Sequence, residues 1–351
     1  MMSNPSTEPA GLGAPDGAIG RSPSNQDVPS DPSRSGEDLT PRFGFFTPIV
    51  QPINLQSWED TAEPQDLARI VTGAESLGYN YVTVGDHAAV AATESALYGS
   101  PRFFDPIGTI GYLAALTSRI RFATHVYQIP LRSPLITAKA FATLDVLSHG
   151  RIIAGFGVGR REYESHAARV PFGHRGSIAD DYLRAVLALW DGEPTSQHSQ
   201  FVDMDDLVCL PRPAQKPRPP VWIGGDRLVG LRRAVRFGDA WTPWALTPDQ
   251  VTAMVARLAD AHEAQLPPGF RIIVPLAPLG GRAPRGQPPA PSIEHGREAT
   301  EKCIEQMAGW REAGATEFLI DLPSPSLEAL EDAMSWFAAE FIDHPAGVPA
   351  T

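Results

Sequence analysis

The stretch Gly150–Glu164, GRIIAGFGVGRREYE, decides the fold. From Arg151 it is a short run rich in β-branched and aromatic residues, as a buried strand requires. It ends among glycines at 155, 157 and 159, followed by Arg160 and Arg161. Before it, Ser133-Pro134 opens a segment in which Ile136, Ala140, Leu144 and Leu147 recur at helical spacing; after it, Ile178, Tyr182, Ala185 and Leu189 do the same. A strand flanked by amphipathic helices is the repeating unit of a parallel sheet. Outward in both directions the rhythm continues, with strands expected at Arg42–Thr47, Tyr79–Gly85, Ile120–Tyr127, Val221–Gly224, Ala240–Pro243, Phe270–Leu279 and Glu317–Leu322. Pro64 and Gly78 bracket one helix, and Thr247–Gln250 has the spacing of a capping box before another. Eight strands and eight helices close a (β/α)8 TIM barrel of the α/β class, where an open doubly wound sheet would use fewer.

The barrel domain is expected over 41–345. Residues 1–40, dominated by Ser, Pro, Gly and Asp, cannot repay the entropy of ordering and are expected to form a disordered tail. Two insertions stand out. Asp191–Pro219 is polar and proline-rich, with SQFVDMDD as a small hairpin at the non-catalytic end, and Gly280–Glu298 is a candidate lid. The net charge of −12 argues against nucleic-acid or anionic-membrane partners and for a small-molecule substrate. Cys209 and Cys303 form no disulfide framework, and no apolar run reaches membrane-spanning length, so a cytoplasmic protein is expected. HExxH, P-loop and GxSxG patterns are absent, as is a metal-ligand spacing.

In such a barrel the chemistry sits at the carboxyl ends of the strands. That rule selects Phe46-Thr47, Asp86-His87, Thr124-His125, Gly157-Val158-Gly159-Arg160, Gly224-Gly225, Trp241, Trp244 and Asp321. Histidine titrates near neutrality, so His87 suits proton transfer; pairing with Asp86 as a structural imidazole is the other reading. The glycines either let backbone N–H groups cradle a phosphate beside Arg160, or relieve crowding inside the barrel. Trp241 and Trp244 either line a substrate site or pack the core. Glu94, Tyr98, Arg102 and Phe103, in the long loop after His87, are candidates for a substrate-facing wall.

The ordered set SHGRIIAGFGVG, TSRIRFATHVYQIPLRSPLITAKAFATLDVLS, PVWIGG and FGDAW resembles the luciferase-like oxidoreductases, nearest their deazaflavin-dependent branch, over Phe43–Trp244. The resemblance implies hydride transfer between the deazaflavin coenzyme F-420 and a small organic substrate. It equally admits an FMN-dependent monooxygenase fed by a separate flavin reductase. A flavin-binding protein without turnover is a third reading. The resemblance further implies that the segment after Gly157 holds the cofactor phosphate, that Thr124, His125 and Val126 lie against one ring face with an irregular peptide, and that His87 is catalytic; relatives are often dimers, so a homodimer is one of the open oligomeric states. His125 stands where relatives carry a small residue. It either adds a second imidazole or displaces the ring.

Overall fold

The computed structural model describes residues 41–51, 56–94, 102–260, 265–280 and 293–343. The expected tail, Tyr98 and most of the candidate lid lie outside these residues. The strands are β1 Arg42–Phe46, β2 Tyr81–Val84, β3 Arg121–Thr124, β4 Tyr127–Gln128, β5 Ile152–Gly157, β6 Thr195–His198, β7 Asp203–Leu207, β8 Val221–Gly224, β9 Ala240–Thr242, β10 Arg271–Leu276 and β11 Glu317–Ile320. The helices are α1 Pro64–Ser76, α2 Pro106–Ala115, α3 Pro134–Leu147, α4 Glu162–Ala167, α5 Arg175–Trp190, α6 Leu228–Phe237, α7 Pro248–Asp260, α8 Arg297–Glu312 and α9 Leu327–Phe337.

The strands run in the order β3-β2-β1-β11-β10-β9-β8-β5-β4, and β3 also pairs with β5. All these pairings are parallel, so the sheet closes on itself. β3 and β4 are two pieces of one stave, separated at the cis peptide His125–Val126, and eight staves make the barrel. The continuous strand expected over Ile120–Tyr127 is corrected to this broken one. The strand expected to reach Gly159 stops at Gly157, because Gly159 turns the chain with φ +78°.

Alternation along each stave divides the core in two. Phe46, Tyr81, Ala123, Ile153, Trp222, Ala240, Ile273 and Leu319, one from each stave, fill the barrel interior. Phe45, Val82, Phe122, Ile152, Ile223, Trp241, Ile272 and Phe318 face the helices. The local signals act as their chemistry requires. Thr247 N–H donates to Gln250 Oε1 at 2.9 Å while Gln250 N–H donates to Thr247 Oγ1 at 3.3 Å, a reciprocal cap at the start of α7. Pro64 begins α1, where its missing N–H costs nothing. The insertion after α5 carries the antiparallel hairpin β6–β7. It lies at the far end from Gly157, for Gln215 Nε2 donates to the Ile152 carbonyl at the start of β5 at 2.7 Å.

Candidate active site

At the carboxyl ends of the staves a cavity of about 220 Å³ opens to solvent. His87, Phe103, His125 and Trp244 supply rings to its wall, Gln51, Gln128 and Asp226 supply polar groups, and Gly157, Gly159, Gly224 and Gly225 supply bare backbone. The turn after β2 places His87, and α4, which follows the glycine turn, places Glu164. His87 Nδ1 lies 3.0 Å from Glu164 Oε2, whose side chain has no exposed surface. Glu164 Oε1 accepts from the Ala88 N–H at 2.8 Å and from Gln128 Nε2 at 3.2 Å. Burial by itself would raise the Glu164 carboxyl. The hydrogen bond and charge of His87, with the bonds from Gln128 and Ala88, outweigh it and hold Glu164 below the usual carboxylate range. The ring of His87 also meets Phe103 edge-on, with centroids 4.7 Å apart.

Asp86 lines the cavity but does not pair with His87. Its carboxylate takes Arg132 Nη1 at 2.6 Å and Nη2 at 2.8 Å, plus the Gln128 N–H at 2.7 Å, a bidentate pair that ties the end of β2 to the segment after β4. The carboxylate expected to pair with the His87 imidazole, Asp86, is thereby corrected to Glu164, reached from a separate element.

Across the cavity, His125 Nε2 lies 2.8 Å from Thr242 Oγ1, and its ring is 5.1 Å from that of Trp244. Trp244 in turn tilts against Phe46 at 5.3 Å. Asp226 Oδ1 accepts from the backbone N–H of Trp244 at 2.6 Å and of Ala245 at 3.2 Å, which fixes this wall. Val126 wedges between staves: a Cβ at Gly157 would lie 2.4 Å from its Cγ2, and one at Gly224 would lie 3.0 Å from its Cγ1. A Cβ at Gly155 would lie 1.8 Å from the Thr124 carbonyl oxygen. Crowding therefore accounts for Gly155 and Gly157. Gly159 is required by its positive φ as well as by crowding, since a Cβ there would lie 2.6 Å from Gln128 Oε1.

Of the residues selected from sequence, Phe46, His87, Asp86, His125, Gly157, Val158, Gly159, Arg160, Gly224, Gly225 and Trp244 all line this one cavity. Four do not. Asp321 is buried just beyond β11 and is not part of the lining. Trp241 is fully buried on the helix-facing side, where its indole N–H donates to the Gly225 carbonyl at 2.8 Å. Thr124 is buried and bonds both ways to the Gly155 backbone, at 2.8 and 3.0 Å. Thr47 is fully buried one residue beyond the inward Phe46 and is not part of the lining. Among the described residues of the long loop Phe103 reaches the cavity; Arg102 donates to the carbonyls of Asp60 and Ala62, and Glu94 pairs with Arg161 at 2.9 Å. Sequence reasoning missed Gln51, Gln128, Glu164, Asp226 and Thr242.

The family model described as luciferase-like monooxygenase matches residues 42–281. The chain belongs to that family. An uncharacterized protein of Mycobacterium tuberculosis is 30% identical over 269 residues, 73% of this chain and 86% of that protein. A phthiodiolone/phenolphthiodiolone dimycocerosates ketoreductase of Mycobacterium bovis is 31% identical over 224 residues, 58% of this chain and 55% of that protein. Among solved structures, an F420-dependent secondary alcohol dehydrogenase in complex with an F420-acetone adduct superposes with TM-score 0.67 at 17% identity, covering 86% of this chain and 98% of that one. Monooxygenases share the same fold at similar likeness. Among the described residues no helix is long and apolar enough to cross a membrane.

Proposed function

We propose that this luciferase-like oxidoreductase binds a deazaflavin coenzyme at the barrel mouth and exchanges a hydride between it and a small alcohol or carbonyl compound. The observation that carries the reading is the His87–Glu164 pair in the cavity wall. Glu164 occupies Nδ1 of the ring and so fixes its orientation, and proton exchange with a bound molecule falls to Nε2. When an alcohol gives up hydride and becomes a carbonyl, its hydroxyl proton must go to a base, and His87 is the group placed to take it. In the reverse direction His87 returns that proton to the new alkoxide oxygen. Phe103, Trp244 and Phe46 give the cavity apolar faces that suit an uncharged substrate.

The residues fit a ring of this kind. Val126, set between Gly157 and Gly224, offers an apolar seat, and Arg160 stands exposed at the rim for a phosphate. A bound deazaflavin would supply a two-electron hydride carrier that reacts poorly with oxygen. FMN-dependent oxygenation is the second reading, favoured by the family's description, and uses the same His87. Titrating the protein with each cofactor while following fluorescence quenching, then measuring oxygen uptake with the tighter one, separates them. Deazaflavin binding without oxygen consumption supports the first reading; substrate-dependent oxygen uptake with reduced FMN replaces it by the second.

A further inference from the structure

Gln128 carries a hydrogen-bond acceptor for which the described residues offer no donor. The orientation of its amide is fixed by its surroundings. Nε2 lies 2.8 Å from the Asp86 carbonyl oxygen and 3.2 and 3.3 Å from the two oxygens of Glu164. Turning the amide over would set its carbonyl against three oxygens, one carboxylate among them. Oε1 therefore points the other way, to the turn at Gly159, where a Cβ would lie 2.6 Å from it. There it is buried and has no hydrogen-bond partner among the described residues, although Gln128 lines the cavity. Native proteins leave few buried acceptors in that condition, and each calls for a partner such as a water, an ion or a ligand group.

We propose that Gln128 Oε1 accepts a hydrogen bond from a hydroxyl of the coenzyme's polyol chain, so that the turn after Gly157 recognises the linker between ring and phosphate and not the phosphate itself. The inference rests on the flavin or deazaflavin reading above, since both compounds carry such a chain. A phosphate monoester near neutral pH is chiefly an acceptor and has little to donate to an amide oxygen. Glu164, hydrogen-bonded to the same amide, adds a negative charge that repels it. Arg160, exposed beyond Gly159, is where the phosphate falls.

The test compares ligands of three lengths: lumiflavin (ring alone), riboflavin (ring and polyol) and FMN (ring, polyol and phosphate), together with the deazaflavin compounds of the same three lengths. Dissociation constants come from fluorescence titration of wild type and Gln128→Met. In wild type the polyol-bearing compound binds more tightly than the ring alone. In the variant the riboflavin-to-lumiflavin affinity ratio falls about fivefold to tenfold, the loss expected for one hydrogen bond, while the FMN-to-riboflavin ratio stays as it was. A variant that weakens all three lengths equally, or none, overturns the inference. Should Gln128→Met not fold, wild type still decides, since equal affinity for ring and ring-plus-polyol overturns it as well. Failure of every ring compound to bind removes the cofactor reading and this inference together; ring binding blind to the polyol removes this inference alone.

Discussion

His87 and Glu164, 77 positions apart in the chain, meet at 3.0 Å in the wall of the cavity, with the carboxylate fully buried and the imidazole partly exposed. The barrel makes this meeting possible, because the turn after β2 and the helix after β5 both rise from the same end of the sheet. A buried carboxylate fixes the ring's rotation as well as which nitrogen faces the cavity.

Removing the pair's two members has different consequences. His87→Ala is expected to lower kcat by about 100-fold to 10,000-fold, the range for losing a general acid or base, while coenzyme affinity changes little. Glu164→Gln keeps the imidazole and is expected to lose about tenfold to 100-fold. Steady-state kinetics beside fluorescence titration check both, and unchanged turnover in His87→Ala removes its assigned role.

The same carboxylate makes stability depend on pH. The carboxyl of Glu164 is held lower in the folded chain than its unfolded value of about 4.3, so its stabilising contribution is complete above that value and is lost as the pH falls through the folded one. Wild type is expected to exceed Glu164→Gln by about 1–3 kcal/mol at neutral pH. Urea midpoints measured down the acid range should show the gap narrowing below about pH 4; a gap that holds constant contradicts the assignment.

The sequence carried the barrel because the barrel is a matter of period. Strand runs alternating with helical stripes give eight staves whether or not any one boundary is right. The rule that chemistry lies at strand ends gave the height of the site in the molecule. It did not give the face. Thr47 sits beside the inward Phe46, Trp241 beside the inward Thr242, and Thr124 beside the cavity-lining His125, so each of the three is one residue out of phase with the lining. Counting by twos from Ala240 would have chosen Thr242 over Trp241. Glu164 and Gln128 had no comparable signal. One lies on a helix of six residues beyond the glycine turn, and the other follows a break in its stave that interrupts the count.

The two tryptophans of the β9 region should therefore behave oppositely. Trp241→Phe removes the bond to the Gly225 carbonyl and is expected to cost about 1–2 kcal/mol of stability with kcat within about twofold. Trp244→Ala opens the wall shared by His125 and Phe46 and is expected to raise KM for substrate severalfold with a smaller stability change. Thermal melts and Michaelis–Menten kinetics on the pair give the comparison. A reversed pattern would return Trp241 to the substrate site.

Arg160 is exposed at the rim and makes no ion pair among the described residues. Arg160→Ala should weaken a phosphate-bearing cofactor about threefold to tenfold more than its dephosphorylated form, and more at low salt than at high. Competition titrations at two ionic strengths measure it; equal losses for both forms place the phosphate elsewhere.

Anaerobic single turnover measures the proton-coupled hydride transfer assigned to His87 most directly. Wild type loaded with oxidised deazaflavin is mixed with a panel of small secondary alcohols, and the cofactor's absorbance is followed beside that of His87→Ala at matched saturation. Rapid bleaching in wild type with at least one alcohol, slowed about 100-fold or more in a variant that still binds the cofactor, is the predicted result. Equal rates in the two proteins would contradict it.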